Sequence, residues 1–422
     1  MTEPRQPSRL SWNTHSLLTR AALSSYCPSV MNSQVRVTRL EELLHAARQA
    51  LPRIIKWYWN LLDNKTGPGD RPKEPSPEIL TQQDFLEALR LNPDRNFFYV
   101  RALRPDELSR KTPHDPSREG PPGGVYVETR PGEQIRALDV LCAFADEPDW
   151  GMDQDLFTIE KYGYGLPPFA AGTGHTSQAP FHMAFLHERA VIRRLFPRIA
   201  TGFMEERVEV FLALAEMAFR LRNDYWGWRF AAWVMHYLQD LTAPYHAKCF
   251  PPSITAVLTR FLRDPNPFGF VKRNHNLLIN RHRLFEAVVH FLLNDAVKTR
   301  RDTPFIIALT GHGEGIASNV RTVMEESARI AARVAPRLDR LAIKLVNDPR
   351  IEDPGFDFQE DHEYEIEKAM HPAVKQRPRI FQEFTNNLCK PLSRAGIVTR
   401  YVLGKIQESG SGVDVSGRGR HT

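Results

Sequence analysis

The stretch from Trp226 to Leu241, WGWRFAAWVMHYLQDL, constrains this chain more than any other. It is strongly apolar at helical spacing, yet it carries His236 and Asp240 four positions apart. Positions i and i+4 share a helix face, with Cβ atoms roughly 6 Å apart. A run of this kind reads as a buried helix, so both polar side chains face an interior. An unpaired carboxylate taken out of water costs several kcal/mol, so Asp240 requires a partner. His246 follows six residues on, and His282 and Glu286 again stand four apart in NHNLLINRHRLFEAV. A metal ion sits ~2.0–2.2 Å from an imidazole nitrogen or a carboxylate oxygen, so one ion can hold both members of such a pair. Chance supplies look-alikes among 15 His and 50 acidic residues, and HEYE at His362–Glu365 reads as one, on an acidic surface helix. A nearby His can serve Asp240 as an ion pair, but three such residues converging on one place are better explained by a cation.

Length and composition bound the rest. A chain of 422 residues with 42% hydrophobic and 25% charged residues can bury a full core, as one large domain or two. The net charge of +6 favours anionic substrates or membrane surfaces without demonstrating either. Cys27, Cys142, Cys249 and Cys389 are too widely spaced for a legible disulfide framework or zinc knuckle. No run reaches the ~18 apolar residues of a membrane helix, so no transmembrane segment is expected. The opening MTEPRQPSRLSWNTHSLLTR has no apolar core ahead of Trp12, so no secretory signal is visible and the sequence alone reads as cytoplasmic.

Helical periodicity runs through most of the chain and strand-type alternation is nearly absent, which predicts an all-α, multi-helix bundle. Residues 40–63 read as one or two helices with Pro52 as a kink or break. Further helices are expected at about 182–197, 204–223, 226–241, 253–263, 276–298 and 314–347. Pro/Gly-rich insertions are expected at about 64–80 and 105–135, and a Gly/Pro-rich loop spans 163–180. The main domain is placed at 1–347 and a C-terminal extension at 348–422, ending in a disordered tail, ESGSGVDVSGRGRHT. GHGEG at 311–315 lacks a preceding strand and a Lys-Ser/Thr, so it is a weak nucleotide motif.

Read in order, the Trp12 segment with NTHSLLTRAAL, an Ala-Asp in FADEPDW, HYLQDLTAPYH and HRLFE resemble the zinc-dependent phospholipase C family, whose all-α fold is shared with S1/P1 nucleases. The closest match is His236-Tyr-Leu-x-Asp240 followed by Pro244-x-His246. The resemblance spans roughly Trp12 to residue 345 and implies two or three zinc ions. Asp146, His182, His236 and Asp240 would hold one; His246, His282 and Glu286 a second; Trp12, His15 and a bridging Asp240 a third. Asp149 stands second to Asp146, and His175 second to His182. Relatives bind the third ion through the free amine and carbonyl of an N-terminal Trp, whereas eleven residues precede Trp12 here, so the count of two or three turns on it. The resemblance also makes Asp146 the candidate general base, and His275 a supporting or surface residue.

The implied activity is phosphodiester hydrolysis of a phospholipid, in which clustered cations activate water and neutralise phosphate oxygens. Peripheral membrane contact is an expected partner interaction. The alternatives are an S1/P1-type single-strand nuclease and a non-catalytic descendant of the fold. Nuclease action needs an aromatic stacking surface, for which Trp57–Trp59 and Tyr225–Trp228 are candidates, although such clusters are more often core.

Overall fold

The computed structural model describes residues 14–66, 78–108, 126–165, 178–195, 198–199, 201–248, 267–299, 301–311, 319–353, 355–356, 358 and 366–408. The described residues are mainly α-helical, as the periodicity predicts. The longer helices are α1 (Thr14–Leu23), α2 (Leu40–Ala47), α3 (Leu51–Thr66), α4 (Ala137–Phe144) and α5 (Met204–Arg220). They continue as α6 (Asp224–Asp240), α7 (Pro267–Thr299), α8 (Val320–Val346), α9 (Ile366–Gln376) and α10 (Pro378–Glu408). The expected helix at 253–263 and the acidic His362–Glu365 lie outside the described residues. No helix among the described residues is long and apolar enough to cross a membrane.

The centre of the bundle is the α5–α6 hairpin. Its turn places Arg222 at φ 59° and uses Asn223 as the N-cap of α6, with the Thr38 hydroxyl donating to Asn223 Oδ1 at 2.8 Å. Every residue of α6 from Tyr225 to Asp240 is buried. A helix wrapped on all sides must partner each polar group it carries, which here means Arg229, His236, Gln239 and Asp240.

Two apolar clusters form the core. The first gathers α2–α6 with the first half of α8, the second α7, the rest of α8 and α9, and α1 divides its residues between them: Ala22 and Leu23 face one, Leu17, Leu18 and Ala21 the other. α10 also bridges, with Phe384, Leu388 and Leu392 in the second cluster and Val398, Val402 and Leu403 in the first. The boundary expected at residue 347 falls between α8 and α9, and α10 beyond it packs into both clusters.

The expected break near Pro52 is present, at 48–50 between α2 and α3, and Pro52 is the second residue of α3, where its missing N–H has no intrahelical acceptor to lose. Of the helix expected over 182–197 only Ala190–Leu195 is helical; a short helix, Ala179–His182, stops before it because Met183 turns extended and Ala184 donates to the His246 carbonyl at 2.9 Å. The second insertion contains short strands. β1 (Gln34–Arg36) pairs antiparallel with β4 (Gln134–Arg136), and β2 (Val100–Ala102) with β3 (Tyr126–Glu128).

The close approach of α10 to Pro304–Thr310 depends on Gly396: a Cβ there would lie 2.0 Å from the Leu309 carbonyl oxygen. We expect Gly396→Ala to lose about 1–3 kcal/mol or more in denaturant unfolding. Gly404→Ala, with nothing within 4 Å of the new Cβ, should be neutral or stabilising.

Candidate metal centre

His236 and Asp240 project from one face of α6 near its C-terminal end. The His236 Nδ1–H donates to the Ala145 carbonyl at 2.7 Å, and a carbonyl can only accept. Nε2 is thereby the free nitrogen, 3.2 Å from Asp240 Oδ2 and 3.0 Å from His182 Nδ1. Asp240, 1% exposed, meets four imidazoles. Its Oδ1 lies 2.8 Å from His246 Nδ1 and 3.5 Å from His15 Nε2. Its Oδ2 lies 3.0 Å from His182 Nδ1.

Three groups of ligand atoms converge among the described residues: His15, His236 and Asp240; Asp149, His182 and His236; and His246, His282 and Glu286. In the last, the His246 and His282 Nε2 atoms approach to 3.1 Å, and Glu286 Oε1 stands 2.9 Å from the latter. Tetrahedral coordination at ~2.1 Å separates two nitrogens by roughly 3.4 Å, so both His–His contacts are close to that spacing. His246 Nδ1 lacks the alignment of a hydrogen bond despite its short distance to Asp240. The donor set, imidazole with carboxylate, suits zinc. The residues present fit a divalent cation.

Asp146 is not in any of these groups. Its Oδ1 accepts from the Ser16 N–H at 3.0 Å and its Oδ2 from the Tyr126 hydroxyl at 2.6 Å. Both oxygens are thus spent in fastening the start of α1 to the 146–150 turn, and burial pushes the carboxyl up to about 7, against the pull of His15. Of the two carboxylates the sequence offered as ligand and base, Asp146 thus faces Ser16 and Tyr126, and Asp149, one turn of 3₁₀ helix further on, faces the histidines. Its Oδ1 is 3.5 Å from His182 and 3.6 Å from His236, and its Oδ2 3.8 Å from His15. At 43% side-chain exposure Asp149 also marks the open side of the centre. Trp12 and His175 lie outside the described residues, as does the side chain of His275.

Two buried ionic knots hold these groups in place. Glu147, with no exposed surface, accepts from Arg95 at 2.6 Å, from Trp233 Nε1 at 2.7 Å and from the Nε and Nη2 groups of Arg229. This anchors the turn that presents Asp149. Asp153 accepts from Arg207 and from the Tyr237 hydroxyl, and its Oδ2 stands 3.3 Å from His182 Nε2. That leaves His182 Nδ1 facing Asp240. These acids carried no spacing signal in the sequence beyond their place in FADEPDWGMDQD.

The charge balance is that of a site competing for protons. Burial opposes charge on His15, but Asp240 overcomes it and raises the imidazole to about 9. Burial likewise opposes charge on His182, and Asp153 with Asp240 raises it to about 10. Asp240 is itself held well below the usual carboxylate range, because the neighbouring histidines outweigh its burial. At neutral pH the metal-free site therefore holds protons on histidines that a cation must displace. Burial opposes charge on His246 too, and Asp240 with Glu286 raises it well above the ordinary imidazole range. Zinc binding should therefore release protons at pH 7.5 and strengthen as pH rises from 6 towards 9, which calorimetry in buffers of different ionisation enthalpy measures; zero release would contradict this charge state. Asp149→Ala should weaken zinc uptake. Asp146→Ala should keep the ion count and lower the melting temperature, since it orphans two buried donors at about 1–3 kcal/mol each.

No protein-family model, curated protein or solved structure matches this chain.

Proposed function

We propose that this chain is a zinc-dependent phosphodiesterase of the phospholipase C type. The observation that carries the reading is the convergence of five histidines and three carboxylates, drawn from six separate segments, into three adjoining ligand groups around one buried aspartate. Bound divalent ions would supply a lowered pKa to water and positive charge for the phosphate oxygens.

The protein's own groups supply orientation. Asp149 combines solvent exposure with contact to His15, His182 and His236, so it is the carboxylate positioned to take a proton from attacking water. Asp240 holds His15, His182, His236 and His246 about one point, which fixes the site without motion of the backbone. Glu286 and His282 form the far edge, both partly exposed, where a departing alkoxide has room to leave.

One observation weighs against the nuclease alternative. Tyr58, Tyr225, Trp226 and Trp228 are buried in the core, and the Trp59 indole is committed to the Ala88 carbonyl at 2.8 Å. Of the candidates only Trp57 is exposed, at 39%, and Arg90 stands over the Trp59 ring, so little surface is left to stack an extruded base. The charge of +6 is compatible with an anionic interface.

Purified protein should contain zinc and turn over p-nitrophenylphosphorylcholine but not single-stranded DNA, with activity lost to chelator and regained with zinc. His236→Ala should abolish turnover, a drop of at least about 10²-fold given the loss of a ligand shared by two groups. Zinc-free, chelator-insensitive protein would end the metal reading, and cleavage of DNA alone would reassign the substrate.

A further inference from the structure

Gln239 occupies the variable position of His236-Tyr-Leu-x-Asp240 and is 1% exposed. A buried amide has two donors and an acceptor to satisfy, and its neighbours decide which end points where. The Thr399 hydroxyl, on α10, donates its one hydrogen to the Ala395 carbonyl at 2.7 Å. Its oxygen is 2.9 Å from Gln239 Nε2 and must accept there. The second amide hydrogen goes to Thr19 Oγ1 at 3.0 Å. The nitrogen end of the amide is thus fully used on that side.

The oxygen end then faces His15 Nδ1 at 3.0 Å, where it can only accept. Nδ1 therefore bears hydrogen, and Nε2, on the side of Asp240 and Asp149, is the nitrogen left for a metal ion once any proton on it is displaced. Hydrogen direction runs one way along the chain, from His15 into Gln239 and from Gln239 through Thr399 to Ala395.

We infer that Gln239 is a positioning residue for His15: pinned by Thr19 and Thr399, its amide oxygen fixes the imidazole tautomer that offers Nε2 to a metal ion. This rests on the metal-centre reading above. It gives His15 what the Ala145 carbonyl gives His236, an acceptor on Nδ1 that sets which nitrogen is free. It also makes α10, which contributes no ligand, part of the centre.

Zinc content and competition titration against a chromophoric chelator, on the full chain, test this. The set is wild type, Gln239→Leu, Thr399→Val and Thr399→Ser, with metal-free melting curves as the folding control. Gln239→Leu should weaken one ion by about 10–100-fold while the others keep their affinity. Thr399→Val, which leaves the amide free to turn over, should weaken the same ion by less, and Thr399→Ser should restore it. In a His15→Ala background Gln239→Leu should add nothing. Unchanged affinity in both Gln239→Leu and Thr399→Val overturns the positioning role while leaving the metal reading intact, and so does an additive loss in the His15→Ala background. A wild-type chain that takes up no zinc overturns both. Where Gln239→Leu melts too low to titrate, Thr399→Val against Thr399→Ser decides.

Discussion

One buried carboxylate organises this protein. Asp240 ends a helix that has no solvent-facing side, and an anion there is tolerable only if positive or donating groups surround it. Four imidazoles do so, from α1, from the segment after Ala179, from α6 itself and from the turn after Pro244. Because those segments belong to different parts of the bundle, the anion sets their relative register. The two apolar clusters meet at this place, with α1 shared between them.

Around that anion the interior spends further charge on rigidity. Glu147 with Arg95 and Arg229, and Asp153 with Arg207, are buried pairs whose desolvation is offset by multiple hydrogen bonds. Pairs of this kind add little net stability over apolar packing, but breaking one leaves an uncompensated charge at about 3–5 kcal/mol. Their effect here is placement: each holds rigid one ligand segment, that of Asp149 or that of His182.

The helical class and the His236/Asp240 pair were legible because both depend on local spacing, which a single chain displays directly. His15, His246, His282 and Glu286 were legible by their order along the chain, and the structure brings all four to the same centre. The choice between Asp146 and Asp149 was not legible. It turns on Tyr126, from a strand of three residues, and on the Ser16 amide, neither of which leaves a pattern near FADEPDW. Strands that short show no period of two, so the paired strands inside the presumed insertion were invisible as well. The role of α10 was hidden for the same reason, since its contacts with α1 and α6 are purely tertiary.

The bridge from Thr399 to Gln239 has a temporal side. Ribosomes add ~5–20 residues per second, and N-terminal segments begin to fold as they emerge. His15 is made early and Gln239 midway, whereas Thr399 arrives on the order of tens of seconds after His15. A growing chain can gather its histidines long before the last helix docks to settle which nitrogen His15 presents. Competence of the centre would thereby be coupled to late docking, with the nascent chain immature until its final core helix is in place.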